Sequence, residues 1–193
     1  MTELWHLPDR LTVGGKSYPI HGDFRDVLEI FSYLRDPALP EFMRWEVALR
    51  LFFEGQIPTS HKGEAMQVLC RFLTCGQEEK PGPSLMDWDQ DAAMIVADVN
   101  RVAGQEIRQL PFVHWWTFLS WFHAIGQGQL STVVAIRDKL RRGKKLESWE
   151  QDFYRENKDR VELKKRYSAQ ELQEQDRLKR LLERQKGREE DGE

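Results

Sequence analysis

The segment from residue 111 to residue 126, PFVHWWTFLSWFHAIG, constrains the fold more than any other stretch of the chain. It holds three tryptophans, three phenylalanines and two histidines in sixteen positions. At helical spacing the apolar residues fall on two sides of one helix, which Pro111 is expected to begin. Such a helix is either central to a core or packed between its own domain and a partner. Its candidate partner-binding residues are Trp115, Trp116, Phe118, Trp121 and Ile125.

Five further segments repeat apolar residues at helical spacing. The first predicted helix starts at Asp23, and Gly55 closes the second. Gly76 is the expected C-cap of the third, and Gly104 ends the fourth. The segment GQEEKPGPS after the third predicts a flexible internal loop. The apolar stripe of the second helix consists of Phe42, Trp45, Leu49, Phe52 and Phe53.

The N-terminal segment RLTVGGKSYPI alternates apolar and polar residues around Gly14 and Gly15. Two glycines supply the positive φ angles of a tight hairpin turn. The same letters end in GKS, like a phosphate-binding loop, but that loop requires a helix next and here Tyr18-Pro19 follows. Because an isolated hairpin is marginal, this one is expected to pack on the helices.

These patterns predict a mainly α fold, with a small N-terminal β-hairpin packed on a compact bundle of about six helices. The predicted domain covers residues 1–145, and a charged, partly flexible helical extension covers residues 146–193. The apolar residues of this extension are expected to pack at most its first half on the bundle. Ser168 and Glu171 form a capping box that begins its later helix.

No pattern of catalytic or metal-ligating residues emerges, so we predict no enzyme activity, no metal and no cofactor. Asp87, Asp89 and Asp91 resemble the start of a calcium loop, but its required glycine is an alanine, and the acids are expected to cap a helix. Cys70 and Cys75 are predicted to be small buried hydrophobes. The histidines form no HExxH pair, and His114 and His123 lie on opposite sides of the predicted aromatic helix.

The order of several motifs resembles a phage and prophage protein family of Gram-positive hosts that is known as gene product fifteen. The resemblance covers roughly residues 8 to 165, and HWW before an aromatic-rich helix is its most recognisable part. The matching motifs are VGGKSYPIHGDFR, LTCG, DWDQDAAMIVADVNRVAGQEI, LPFVHWWTFLSWFHAIG, IRDKLRRGKKLE and EQDFYRENKDR.

This resemblance implies a tail assembly chaperone of long-tailed phages, encoded just before the tape-measure protein. The implied partner is that protein, whose helical apolar segments need cover before assembly. A second tail chaperone, a longer frameshifted form and self-association stay open as further partners. The resemblance places no catalytic residues on the chain.

A nucleic-acid-binding accessory or regulatory protein is the alternative hypothesis. Its phosphate contacts would be Arg137, Arg141, Arg142, Lys144 and Lys145. This basic segment is short, is followed by acids and lacks interleaved aromatics, and the net charge of −3 gives no general attraction to nucleic acid. We therefore rank nucleic acid well below the protein partner.

No apolar run approaches the roughly 20 residues that a membrane helix needs. The first residues, MTELWHLPDR, carry acids and a proline where a signal peptide has basic and apolar residues. The expected location is the cytoplasm of the bacterial host, without membrane contact.

Overall fold

The computed structural model describes residues 5–77, 82–168, 170–178 and 180. It is mainly α, with a two-stranded antiparallel hairpin at the N-terminus, which confirms the predicted fold class. None of the described helices is long and apolar enough to cross a membrane. The elements are β1 (Arg10–Val13), β2 (Lys16–Pro19), α1 (Phe24–Leu34), α2 (Glu41–Phe52), α3 (Lys62–Leu73), α4 (Ala92–Ala103), α5 (Trp115–His123), α6 (Gln129–Arg141), α7 (Ser148–Glu156) and α8 (Lys158–Val161).

The hairpin turns at Gly14 and Gly15, whose φ angles are +56° and +74°. Positive φ at both central residues is the geometry that the glycine pair predicts. The hairpin packs on the helices, because Val13 and Tyr18 are buried and the Gly14 N–H donates to the Glu64 carboxylate of α3 at 3.0 Å. The expected docking of the hairpin is therefore present.

The end of α3 differs in detail from the prediction. Gly76 was expected to be the C-cap, but α3 ends at Leu73 and Thr74 is its C-cap. Cys75 then takes the left-handed conformation with φ +52°. The N–H groups of Cys75 and Gly76 donate to the carbonyls of Phe72 and Arg71, as in a Schellman motif. Gly76 is thus the second residue beyond the cap. Part of the predicted flexible loop, residues 78–81, lies outside the described residues.

One continuous core joins the hairpin and the helices. It extends past the boundary that we predicted at residue 145, because Leu146 and Val161 are buried in it. The first half of the predicted extension therefore packs on the bundle. The capping box is present as well, since the Ser168 hydroxyl accepts from the Glu171 N–H and the Glu171 carboxylate accepts from the Ser168 N–H. The largest fully buried side chains are Trp115, Phe52, Phe53, Phe72 and Phe118.

The start of α6 depends on a side chain of another helix. Gly128 precedes α6, and the buried Asp98 carboxylate of α4 accepts from the Leu130 N–H in the first turn, at 3.2 Å. A Cβ atom on Gly128 would lie only 2.5 Å from an Asp98 oxygen. A side chain at this position therefore displaces the acceptor that caps α6.

We predict that Gly128→Ala lowers the free energy of unfolding by about 1–3 kcal/mol, because the new methyl group forces the Asp98 carboxylate away from the α6 N-terminus. Chemical denaturation measures the change. Gly126→Ala is the matched control, since a Cβ there meets nothing within 4 Å, and it should stay within about 0.5 kcal/mol of the wild type. Equal stability of the two variants would contradict the role of Asp98.

Candidate partner-binding surface

The segment before α5 is held to the start of α1 by a short backbone pairing, which we call the clasp: residues 22–25 with residues 110–116. The Phe24 N–H donates to the Val113 carbonyl at 2.9 Å, and the Trp115 N–H donates to the Gly22 carbonyl at 2.8 Å. This pairing keeps residues 111–114 extended. The prediction that Pro111 begins the aromatic helix is therefore wrong, and α5 begins at Trp115.

Asp23 is the polar centre of the clasp. Its buried carboxylate accepts from the Arg25 N–H, which caps α1, and from the Val113 N–H at 2.9 Å. The Arg25 guanidinium pairs with the same carboxylate and donates to the Leu110 carbonyl at 2.5 Å. One acid and one arginine thus fix both sides of the clasp, and a charged acceptor makes these bonds stronger than neutral ones.

His114 is the N-cap of α5. Its Nδ1 accepts from the Trp116 N–H at 3.1 Å, so its Nε2 carries the proton and donates to the Pro8 carbonyl at 3.1 Å. Burial lowers the pKa of His114, while the hydrogen bond with Pro8 opposes this shift. The neutral ring is the form that the clasp requires, because protonation of Nδ1 removes the acceptor of the helix cap.

The two tryptophans after His114 cap the C-terminus of α3. The Trp115 indole N–H donates to the Leu73 carbonyl, and the Trp116 indole N–H donates to the Phe72 carbonyl, both at 2.9 Å. The last carbonyls of a helix lack partners within the helix. The Trp115 indole satisfies the Leu73 carbonyl, and the Trp116 indole adds a second donor to the Phe72 carbonyl, which also accepts from the Cys75 N–H. His114 thus caps the N-terminus of α5, and Trp115 and Trp116 cap the C-terminus of α3.

The predicted partner-binding residues of the aromatic helix are mostly internal. Trp115 and Phe118 are each 1% exposed, which is incompatible with contact to a partner, so this part of the prediction is corrected. Trp116, Trp121 and Ile125 are half-buried and pack against the core, and Ile125 lies beyond the end of α5. Both apolar sides of the helix are thus engaged largely within the domain.

Exposed apolar side chains lie instead at the start of α2. Phe42 is 73% exposed and Met43 is 41% exposed, although the sequence pattern placed Phe42 in the core stripe. The same turn of α2 also contributes to a groove, which is lined by Leu34, Glu41, Arg44 and Trp45. The stripe of α2 runs beyond the edge of the core at its first turn, since the buried residues of α2 are Ala48, Leu49 and Phe52 in its later turns. Periodicity alone could not show where the core ends.

A second set of exposed apolar residues lies near the clasp. Trp5 and Leu7 belong to the segment whose Pro8 carbonyl binds His114, and Phe112 lies within the clasp, directly before Val113. All three are more than half exposed. The ring centroids of Phe112 and His114 are 6.4 Å apart. Phe112 was predicted to be part of the helical stripe, and the extended clasp places it outside α5.

The basic segment does not present its five predicted phosphate contacts together. Arg137 is buried and forms a bidentate ion pair with Asp91, with N–O distances of 2.6 and 2.8 Å. Arg141 and Arg142 both bind the Asp138 carboxylate. Lys144 and Lys145 are exposed just after the C-terminus of α6, which carries the negative end of the helix dipole. This end of a helix attracts cations rather than phosphate.

The acidic turn before α4 also differs from the prediction. Asp87 accepts from the N–H groups of Asp89 and Gln90, which belong to the turn before α4 and not to the helix that the acid was expected to cap. Asp91 occupies the N-cap position of α4, but its side chain binds Arg137 instead of a free N–H group of the helix. A buried guanidinium needs a paired carboxylate, and this requirement outweighs the cap.

The part of the chain that the structure describes holds no group of three or more His, Cys, Asp and Glu side chains that could bind a metal ion. Cys70 is exposed and Cys75 is half-buried, so the prediction that both are buried is wrong for Cys70. Burial raises the pKa of the Cys75 thiol to about 11, and the part of Cys70 that the protein covers raises the pKa of its thiol as well. A raised pKa lowers the thiolate fraction and hence the reactivity.

A family model described as Bacteriophage Gp15 protein matches residues 6–163. The chain belongs to this family. The match to this Gp15-family protein covers both halves of the clasp and the described helices up to α8. No curated protein and no solved structure gives a significant match.

The geometry of His114 predicts a specific pH dependence. The folded state lowers the pKa of His114 below its unfolded value of about 6.5, so the unfolded chain binds a proton more readily. The contribution of His114 to the free energy of unfolding should therefore be complete above about pH 6.5. It should decrease as the pH falls from there toward the folded pKa. Chemical denaturation between about pH 7.5 and pH 5 measures this decrease.

His114→Gln removes the titrating group and should flatten this part of the pH profile relative to the wild type. His123→Gln is the control, since His123 is exposed at the end of α5, and it should keep the wild-type slope. A His114→Gln profile as steep as that of the wild type would contradict the assignment.

Proposed function

We propose that this Gp15-family protein is a non-enzymatic tail assembly chaperone that binds helical apolar segments of the phage tape-measure protein. Family membership supports a phage protein, and the family resemblance supplies the tail-assembly role. The observation that carries the binding mode is the exposed pair Phe42 and Met43 in the first turn of α2, a turn that also lines the groove between α1 and α2.

The groove has the features of a site for an apolar helix. Trp45 and Leu34 form its apolar lining, and Glu41 and Arg44 supply one charge of each sign at the rim. Amphipathic helices bind such grooves through a few apolar anchors, and aromatic residues dominate the binding energy of interfaces. Burying Phe42 against a partner would contribute about 1.5–3 kcal/mol.

The first test is co-expression with the tape-measure protein of the same phage or prophage. We expect a soluble complex that co-purifies, because covered apolar segments no longer aggregate. If the tape-measure protein stays insoluble and no complex is recovered, the proposed function is wrong.

The surface is tested by the double substitution Phe42→Ser with Met43→Ser. It should weaken the complex by about 10-fold or more, because apolar anchors are lost, and should leave the melting temperature nearly unchanged, since both side chains are exposed. Calorimetric titration with a soluble tape-measure fragment measures the affinity.

Trp149→Ser is the matched control, because Trp149 is an exposed aromatic residue on α7. It should bind like the wild type. A complex that is unaffected by the Phe42 and Met43 substitutions would place the binding surface elsewhere on the protein.

A further inference from the structure

Residues 157–168 follow α7 and cross the start of α4 with only one helical turn, α8; we call this segment the strap. Side chains of the bundle bind backbone groups between residues 159 and 164. The Gln90 amide donates to the Glu162 carbonyl at 2.7 Å and accepts from the Lys164 N–H at 2.9 Å. The strap is therefore attached by a few polar groups rather than by a ladder of backbone bonds.

The inner end of the strap is deeply anchored. Val161 is 1% exposed and belongs to the core. The Arg137 guanidinium, which is paired with Asp91, donates to the carbonyls of Arg160 and Val161 at 2.7 Å each. Because these charges are buried, salt screens them little.

The outer end of the strap is attached differently. Arg166 pairs with Asp87 at 2.9 Å and with Asp89, and its side chain is 34% exposed. Leu163 is among the exposed large apolar residues. The outer end thus has a partly exposed charge cluster where the inner end has a buried residue, and ion pairs that solvent reaches are weakened by salt.

We propose that the outer half of the strap, residues 162–168, is a salt-sensitive latch that opens while the bundle and the inner anchor stay folded. Arg166 closes the latch on the acidic turn. The capping box at Ser168 starts the helix of residues 170–178 directly after it, and every residue of that helix from 172 to 178 is exposed. Opening therefore releases the helix of residues 170–178, because Arg166 no longer ties the preceding residues to the acidic turn.

Segments with few apolar contacts open at low free-energy cost, and the exchange of their amide hydrogens reports the opening. The Lys164 amide is the reporter, because its N–H binds only across the latch, to Gln90. We expect Arg166→Ala in the full chain to speed its hydrogen exchange, measured by NMR, about fivefold at low salt. The wild type should approach the variant's rate at about 1 M NaCl.

Lys165→Ala is the matched control, because Lys165 pairs with Glu171 and not with the acidic turn. It should leave the Lys164 exchange rate unchanged. The amides of the buried α4 residues Ile95 and Val99 should keep their wild-type rates in both variants. Equal Lys164 exchange rates in Arg166→Ala and Lys165→Ala would overturn the latch. An equal acceleration of the α4 amides in Arg166→Ala would also overturn it, because that result means global unfolding.

Discussion

The Asp23 carboxylate joins two distant parts of the chain in a way that the remaining structure depends on. It caps α1 through Arg25 and accepts from the N–H group of Val113, ninety residues away. Because that bond and the neighbouring backbone bonds hold residues 111–114 extended, α5 begins at Trp115 and places its indole on the end of α3. A single buried acid thereby sets the relative placement of three helices, and a charge in such a place needs all of its bonds.

The sequence predicts the local elements of this fold well. Gly14 and Gly15 define the hairpin turn, and the Ser168–Glu171 capping box forms as its spacing predicts. Local rules succeed there because the partner groups lie a few residues apart. They fail where a distant partner competes. Pro111 could have begun a helix, but the pairing with α1 is stronger, and Asp91 would have capped α4 without Arg137 nearby.

The candidate site was less accessible to sequence reasoning. An aromatic stripe does not show whether its other side meets the same domain or a partner, and the structure buries Trp115 and Phe118 within the domain. Phe42 fits the spacing of a core residue, yet it lies one turn beyond the core edge and is exposed. Only tertiary packing separates these cases. The motif HWW thus accounts for the architecture, whereas the proposed binding surface lies on α2.

The stability of Trp116→Phe tests most directly whether the motif HWW holds the architecture. The substitution keeps a large apolar ring but removes the N–H group that donates to the Phe72 carbonyl alongside the Cys75 N–H, so the free energy of unfolding should fall by about 1 kcal/mol. Trp149→Phe is the control, because the indole N–H of Trp149 binds only the exposed side chain of Glu147, and it should change stability by less than about 0.5 kcal/mol. Chemical denaturation of both variants at neutral pH decides the matter. Equal stability of Trp116→Phe and the wild type would contradict the structural role of the motif.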